Sequence, residues 1–530
     1  GAQSYPSRTK DVDDVDISTG SVGLGVAMTS FVSLIQDYIL KKQFGKKIPK
    51  GRMVALVGDA ELDEGNIYEC LQEGWKHDLR NVWWIIDYNR QSLDGVVHEG
   101  LSERLSSVFE AFGWNLIILK YGRLQKDAFK EPGGNLLKKW IDDCPNQLYS
   151  ALIYEGGAAF KKRVLDDIGD QDIVSKLINK RSDNEFLELM ANLGGHCVPT
   201  LCDAFNGIND DKPTAFIAYT IKGWGTPLAG HKDNHAGLMT KIQMDSFKSK
   251  FGITEGNEWN SFLDAKEDLE LNEFIKNSPF QKARHRKYKS KKIPVDDIIL
   301  ITETKISTQN AFGKILDQYA KNDTEFGNRI ITTSPDVSVS TNLGPWINKK
   351  GLFSRTDSSD TFRDRKIPSA QKWIFSSQGQ HIELGIAEMN LFLMLGAAGL
   401  SHELFGERLF PIGTVYDPFI ARGLDAMNYA CYQDARFMIV GTPSGVSLAP
   451  EGGAHQSIGT PLIGISQPGL LSYEPAFADE LSIIMNYGFN YLQDENGGSI
   501  YLRLTTRSIE QPLREINHEL KQNVIQGGYW

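Results

Sequence analysis

Two polar residues, each ending a run of strand-like apolar character, mark the first place where this sequence could do chemistry. Asp59 follows Met53–Val57 (MVALV), and Asn89 follows Val82–Ile86 within Asp87-Tyr88-Asn89. Short unbroken apolar runs are what parallel strands buried on both faces look like. Open parallel sheets collect their ligands just past the carboxyl ends of such strands. A carboxylate, an amide oxygen and a nearby backbone carbonyl, such as that of Gln91, are hard oxygens suited to Mg2+, which fills its remaining positions with water and ligand phosphate. Ordinary polar strand ends explain the pair equally well. Upstream, Ser18-Thr19-Gly20-Ser21-Val22-Gly23-Leu24-Gly25 leads into a helix pattern. Glycines there would let backbone approach a phosphate under a favourable helix dipole, and close packing of a helix start would use them as well. Lys222, just past the run Thr214–Tyr219, would add a positive charge; a surface lysine is the plain alternative.

The second half carries acid–base candidates. Glu388 sits in a helical pattern rich in Leu, Ala and Gly. A carboxylate in such apolar surroundings is expected to hold a proton tightly and to share it with a ligand nitrogen; an exposed helix glutamate is the competing reading. Tyr416 and Phe419 stand at helical spacing, where aromatics are usually core. Three histidines, His196, His235 and His455, lie close to glycines. A lone histidine is more often structural, but imidazole near neutral pH can move protons on a substrate.

Here the residues become specific as a set. Gly58-Asp59-Ala60-Glu61, with Asn89 thirty positions after Asp59, resembles the thiamine-diphosphate motif that opens Gly-Asp-Gly and closes on Asn. Ala60 departs from the third glycine by one methyl. The stretch from Leu56 to Val96 is most similar to the homodimeric first component of the pyruvate dehydrogenase complex. Ser4-Tyr5-Pro6, Ala111–Asn115 (AFGWN), Gly194-Gly195-His196 and Thr220–Gly225 (TIKGWG) match the same family. The resemblance implies that Asp59, Asn89 and the Gln91 carbonyl bind the metal. It places Gly58 and Lys222 at the cofactor. Gly385-Ile386-Ala387-Glu388 resembles the Gly-Ile-x-Glu of transketolases, deoxyxylulose-phosphate synthases and 2-oxo-acid dehydrogenases. In those families the glutamate bonds N1′ of the aminopyrimidine, whose 4′-nitrogen then removes the C2 proton of the thiazolium. Tyr416–Asp425 resembles their aromatic segment, so Phe419, with Tyr416, inherits stacking on the pyrimidine. Asp336, in Ser334-Pro335-Asp336, is by the same resemblance a candidate for holding the subunit interface and the Glu388 network. His235 and His455 match substrate-facing histidines in the right order, which favours catalysis; His196 matches only a phrase and is read as structural.

These residues need two sheets to carry them. Strands and helices alternate from about 15 to 250, where Phe31, Leu34, Ile35, Tyr38 and Ile39 share one helical face. They alternate again from about 298 to 510, with strands expected at Arg329–Thr333, Leu409–Gly413, Arg436–Val440, Pro461–Ile465 and Ser499–Leu504 and a helix at Ile382–Leu400. The expected class is α/β, with two helix-covered, mainly parallel sheets. The resemblance names them a pyrophosphate domain (1–255) and a pyrimidine domain (298–515), joined by a linker (256–297) and followed by the start of a further domain (516–530). The basic run HRKYKSKK within Asn277–Lys292 reads as solvated linker rather than a binding patch. Relatives extend at both ends, so the chain reads as a fragment, lacking an N-terminal stretch and a C-terminal domain.

Composition narrows the partners. With 530 residues, 41% hydrophobic, 23% charged and a net charge of −10, the chain has material for several cores and little attraction for nucleic acid or anionic membrane. Five scattered cysteines without a CxxC pair suggest neither disulfides nor a cysteine zinc site, and a reducing cytosol is the simplest compartment. The resemblance implies a homodimer using thiamine diphosphate and Mg2+. Its expected reaction is decarboxylation of a 2-oxo acid, most simply pyruvate, with acyl transfer to a lipoyl-bearing acyltransferase. One rival is ketol transfer between sugar phosphates, for which Ser340, Arg503 and Arg507 are candidate phosphate contacts. The other is a non-catalytic paralogue serving as a scaffold, against which the joint retention of Asp59, Asn89, Glu388, His235 and His455 speaks. A Mg-nucleotide binder is disfavoured by the lack of a GxxxxGK[ST] loop.

Overall fold

Four apolar runs build a first sheet: β1 (Met53–Gly58), β2 (Val82–Tyr88), β3 (Asn115–Leu119) and β4 (Thr214–Tyr219), in the order β1-β2-β4-β3. The computed structural model describes residues 5–11, 14–44, 48, 50–92, 95–96, 98–169, 172–260, 268–278 and 288–530. β4 pairs in parallel with both β2 and β3 and is buried at all six positions, which is why its sequence, TAFIAY, is apolar on both faces. β2 alternates instead, with Val82, Trp84, Ile86 and Tyr88 inward. Trp84 packs against Trp114 at 4.6 Å and edge-on to Phe109 at 6.0 Å. Between β3 and β4 the expected alternation gives way, among the described residues, to seven helices running from Arg123 to Asn206.

The second sheet has eight strands, with every pairing parallel: β5 (Ile330–Pro335), β6 (Leu352–Phe353), β7 (Phe375–Ser376), β8 (His381–Leu384), β9 (Phe410–Val415), β10 (Met438–Gly441), β11 (Leu470–Tyr473) and β12 (Ser499–Arg503). Their order is β7-β6-β8-β5-β9-β10-β12-β11. Five helices matter for the site: α1 (Leu24–Lys42), α2 (Gly65–Lys76), α3 (Glu388–Gly399), α4 (Leu424–Tyr432) and α5 (Thr460–Ser466). α3 is buried at eleven of its twelve positions and packs against α1, α2, α4, β5 and β9. Its Gly-Ala-Ala-Gly end admits that crowding: a methyl on Gly399 would lie 2.6 Å from the Arg436 amide nitrogen. α1 is buried well beyond the expected face. Among its polar inward residues, Gln36 bonds both backbone groups of Gly51 and Asp37 pairs with Arg355 at 2.8 Å.

Two sequence expectations change. Pro461–Ile465 is helix α5, not a strand; Pro461 fills the first helical turn, where its missing N–H costs nothing, and a run this short carries no decisive period. The strand of that region is the four-residue β11, which lies outside the expected strands. Ile382–Leu400 is not one helix. His381–Leu384 is β8, in register with Thr332–Pro335 of β5, and the helix begins only at Glu388.

The chain divides into two compact units. One comprises 54–64 and 80–283; the other comprises 1–53, 65–79 and 284–530. The units are thus interleaved in sequence, whereas the ranges 1–255 and 298–515 are contiguous. Residues 279–287, most of the basic run's start, lie outside the described residues. The following stretch is pinned down, with the Tyr288 amide donating to the Glu403 carbonyl at 2.9 Å and Lys292 on Asp494 at 2.9 Å. Among the described residues no helix is long and apolar enough to cross a membrane.

Candidate active site

In the four-stranded unit, Asp59 begins a single 3-10 turn directly after β1, with only 2% of its surface exposed. Its Oδ2 accepts the Arg90 amide at 2.7 Å and its Oδ1 accepts the Ala60 amide at 2.9 Å. The first bond draws the end of β1 to the end of β2. Arg90 adopts a left-handed backbone, φ 67°, which costs a non-glycine residue about 1 kcal/mol and is held by that bond. Its guanidinium lies over the Tyr149 ring at 5.1 Å and donates to the Thr220 carbonyl at 3.3 Å. Asn89 Oδ1 accepts the Gln91 amide at 3.0 Å. Gln91 opens a short hairpin whose loop residues, 93 and 94, lie outside the described residues.

Burial pushes the Asp59 carboxyl up to about 6, against its two backbone N–H donors, and neighbouring Asp87 adds to the rise. Gln91 Oε1 is buried without a hydrogen-bond partner. A nearly sealed carboxylate short of positive charge, with an amide oxygen and an orphan acceptor on the adjoining turn, is a donor set that a hard divalent cation fits. Among the described residues no three His, Cys, Asp or Glu side chains gather as a metal cluster. A site at Asp59 would therefore lean on amide, carbonyl and ligand oxygens. In the same unit Lys222 Nζ stands 3.3 Å from His235 Nδ1, so two expected residues meet. His196 is otherwise engaged: its Nε2 accepts the Ile221 amide at 2.8 Å, it stacks on Trp224 at 4.9 Å, and burial lowers its proton affinity.

In the eight-stranded unit, Glu388 is the first residue of α3 and 4% exposed. The turn before it closes through the Ala387 amide on the Gly385 carbonyl, 2.7 Å. α2 fastens that turn. Glu73 Oε2 accepts the Gly385 amide at 2.9 Å and Asn390 Nδ2 at 3.4 Å, while His77 Nε2 donates to the Glu383 carbonyl at 3.1 Å. The surroundings of Glu388 are more polar than expected. Arg422 Nε lies 3.3 Å from its Oε2, and burial together with the Glu388 charge pushes the Glu69 carboxyl up. Arg422 belongs to the 3-10 turn Asp417–Gly423, which also carries Phe419. Gly423 lets that turn approach α3, since a methyl there would lie 2.6 Å from the Glu388 carbonyl oxygen.

Tyr416 and Phe419 stack at 6.2 Å, and His455 meets both edge-on, at 5.7 and 5.4 Å. Three residues singled out from the sequence thus form one cluster. Asp336 does not join them; it is exposed just past β5, at φ 62°, with no hydrogen bond to Glu388. Arg503 does not present itself to solvent. It is 4% exposed, with Nε on Asp417 at 3.2 Å and Nη1 on Glu474. Arg422 and Asp417 have no role among the sequence expectations, although both stand inside the aromatic phrase Tyr416–Asp425; nor has Glu73, whose signal is its place one helical turn beyond Glu69. A groove of about 1000 Å³ lined by Asp296, Leu300, Asn486 and Leu513 lies among neither set of candidates, and it offers no comparable convergence of acid–base groups.

Comparison with known proteins bears on both halves. Residues 301–512 match the family model of the pyruvate dehydrogenase E1 component middle domain, and residues 4–128 match that of the transketolase thiamine diphosphate binding domain. The pyruvate dehydrogenase E1 component of Cupriavidus necator is 24% identical across 100% of this chain and 60% of its own length. That of Pseudomonas aeruginosa is 26% identical, over 100% and 61%. The chain thus spans about three fifths of the length of these relatives. Among solved structures, transketolase from Campylobacter jejuni aligns with a TM-score of 0.57 at 18% identity, over 96% of this chain and 65% of its own. A Pichia stipitis transketolase complex with sedoheptulose-7-phosphate aligns with a TM-score of 0.60 at 16% identity, over 99% and 66%. At that identity the likeness is one of fold.

Proposed function

We propose that this chain, a member of the transketolase-like thiamine-diphosphate proteins related to pyruvate dehydrogenase E1, belongs to an enzyme that decarboxylates a 2-oxo acid. Pyruvate is the simplest substrate, Mg2+ the metal, and a lipoyl-bearing acyltransferase the acceptor of the acyl group. The protein works as a homodimer in the cytoplasm. Thiamine diphosphate supplies, when bound, an acidic carbon and an electron sink for the bond broken next to the carbonyl. The observation that carries the reading is Glu388: a nearly sealed carboxylate at the head of α3, on the element that Phe419 and Arg422 pack against.

The chain's own residues take these parts. Asp59, Asn89 and the Gln91 carbonyl hold the metal, with Gly58 leaving room beside them and Lys222 supplying charge for the diphosphate. Glu388 bonds the pyrimidine nitrogen and holds a proton there. Phe419 and Tyr416 offer the ring faces against which a heteroaromatic ring stacks. His455 and His235 stand ready to move protons on the substrate. Asp336 is assigned to the contact between subunits, which its exposure leaves open to it.

The rival, ketol transfer between sugar phosphates, needs a free cation for the phosphate. Arg503, one candidate for that role, is committed to Asp417 and Glu474 inside the unit. The deciding experiment is product analysis on the full-length protein with thiamine diphosphate and Mg2+. Carbon dioxide from pyruvate or a branched 2-oxo acid, with reduction of an artificial acceptor, is expected. Turnover of xylulose 5-phosphate with an aldose, and no carbon dioxide from any 2-oxo acid, would overturn the proposal.

A further inference from the structure

The ring cluster of Tyr416, Phe419 and His455 joins two stretches of chain, and one buried residue between the rings fastens them. Asp417 is fully buried. Its Oδ1 accepts the Tyr501 hydroxyl. Its Oδ2 accepts the Ser457 hydroxyl, Thr460 Oγ1 at 2.5 Å and Arg503 Nε at 3.2 Å. Tyr501 and Arg503 come from β12, so the aromatic turn is tied to the sheet. Ser457 and Thr460 come from just beyond His455, so the histidine's loop is tied to the same carboxyl. Room for the carboxyl is left by Gly441 at the end of β10, where a methyl would overlap Oδ1. A buried carboxylate with a guanidinium partner and three hydroxyl donors has its lone pairs satisfied, the condition under which such a pair holds its place.

Ser457 does more than bond Asp417. Its amide donates to the Gly445 carbonyl at 3.0 Å, and the Gly445 amide donates to its Oγ at 3.0 Å. These two bonds close the neck of a loop, 446–456, that carries His455 and is largely exposed. Arg503 Nη2 donates to the Ser457 carbonyl at 3.2 Å, so the neck is held from both sides. The imidazole itself has little else to fix it. His455 Nδ1 is buried with no hydrogen-bond partner, and Nε2 reaches only Glu451, at 3.8 Å.

We infer that Asp417 is a positioning residue: through Ser457 and Thr460 it holds the neck of the His455 loop, and so keeps the imidazole edge-on to Tyr416 and Phe419. Its effect on turnover rests on the reading given under Proposed function; its effect on the imidazole does not.

The test uses full-length protein carrying 13Cε1-labelled histidine, with Asp417→Asn and Ser457→Ala as variants and His455→Gln to assign the signal. Asp417→Asn keeps the shape of the hub, and Ser457→Ala removes one arm, so the second remains informative where the first fails to fold. In the wild type, ring currents from the two aromatics should displace the His455 signal from the free-histidine position. In the variants it should move back. Turnover of the 2-oxo acid should fall by roughly 10-fold or more, while deuterium exchange at C2 of the bound cofactor stays within about twofold, because that step is assigned to Glu388. A His455 signal that does not move in a folded variant overturns the inference whatever the reaction is. A signal that moves while turnover holds at the wild-type rate reduces the hub to a purely structural one, and also overturns it. If the wild type turns over no 2-oxo acid, the proposed function fails, and the NMR signal alone decides whether Asp417 positions His455.

Discussion

Acidifying the protein from about pH 7.5 to about pH 5 should release a divalent ion from Asp59 well before an ordinary aspartate would let it go. The carboxyl is raised from 3.8 to about 6, chiefly by burial. At about 1.36 kcal/mol for each unit of pKa, keeping Asp59 charged in the ion-free protein costs the fold about 3 kcal/mol. The sign follows from the direction. A carboxyl raised on folding stabilises the fold in its protonated form, and that contribution is lost as the pH rises through about 6. A bound cation relieves the cost, because it needs the carboxylate. Below about pH 6 the ion must displace a proton, so affinity should fall tenfold per pH unit and stand roughly tenfold below its plateau at about pH 5. An unshifted aspartate would give a flat profile across that range. The assay is electron paramagnetic resonance of free Mn2+ as a stand-in for Mg2+. Thiamine diphosphate is left out because phosphate groups titrate near pH 6 themselves. Asp59→Asn should bind the ion far more weakly and show no step. A wild-type affinity flat down to about pH 5, or the same step in Asp59→Asn, would refute the reasoning.

Other outcomes are open to test. Glu388→Gln should fold, since amide replaces acid at equal size, but it should lower deuterium exchange at C2 of bound thiamine diphosphate by about 100-fold or more; an unchanged rate would assign the relay elsewhere. His235→Ala and His455→Ala should each lower turnover of the 2-oxo acid about 10- to 1000-fold with C2 exchange largely intact, and parallel loss of exchange would place them in the earlier step. His402, whose Nδ1 donates to the Gly399 carbonyl at 2.9 Å, is depressed to about 3 by burial and then by Arg408. It favours the fold in its neutral form, so its contribution is present above the ordinary value of 6.5 and is lost as the pH falls from there toward about 3, by up to about 1.4 kcal/mol per unit. Urea midpoints between about pH 7 and about pH 5 should therefore fall more steeply for wild type than for His402→Gln.

The sequence made Asp59 and Asn89 legible because each follows an apolar run of strand length, and β1 and β2 stop there, although β1 is not buried on both faces as expected: Val54 and Leu56 are exposed. Glu388 was legible as a motif but not as a position. The phrase before it is strand, turn and helix start rather than one helix, because His381–Leu384 finds a partner in β5, a contact no local period encodes. Pro461–Ile465 failed for a related reason: five apolar residues suit a strand or a helix turn, and Pro461 decided it. Arg422 and Asp417 stood in plain view without roles, since their partners Glu388, Ser457 and Tyr501 are brought up only by folding. Arg503 illustrates the converse. As a residue type it suits a phosphate, and its burial on Asp417 removes it from that list.

The unit built on the eight-stranded sheet draws residues 1–53 and 65–79, with α1 and α2, from the first eighty residues and the rest from beyond residue 283. A ribosome therefore releases α1, with fifteen of its nineteen residues destined for burial, long before it makes α3, the helix α1 packs against. At about 5–20 residues per second, that interval is on the order of tens of seconds. During it α1 has its near neighbour α2 to pack on but not α3, and the apolar surface that α3 will cover is open to chaperones or to other nascent chains. The order of synthesis thus leaves the face of α1 that meets α3 among the later surfaces of its unit to be sheltered.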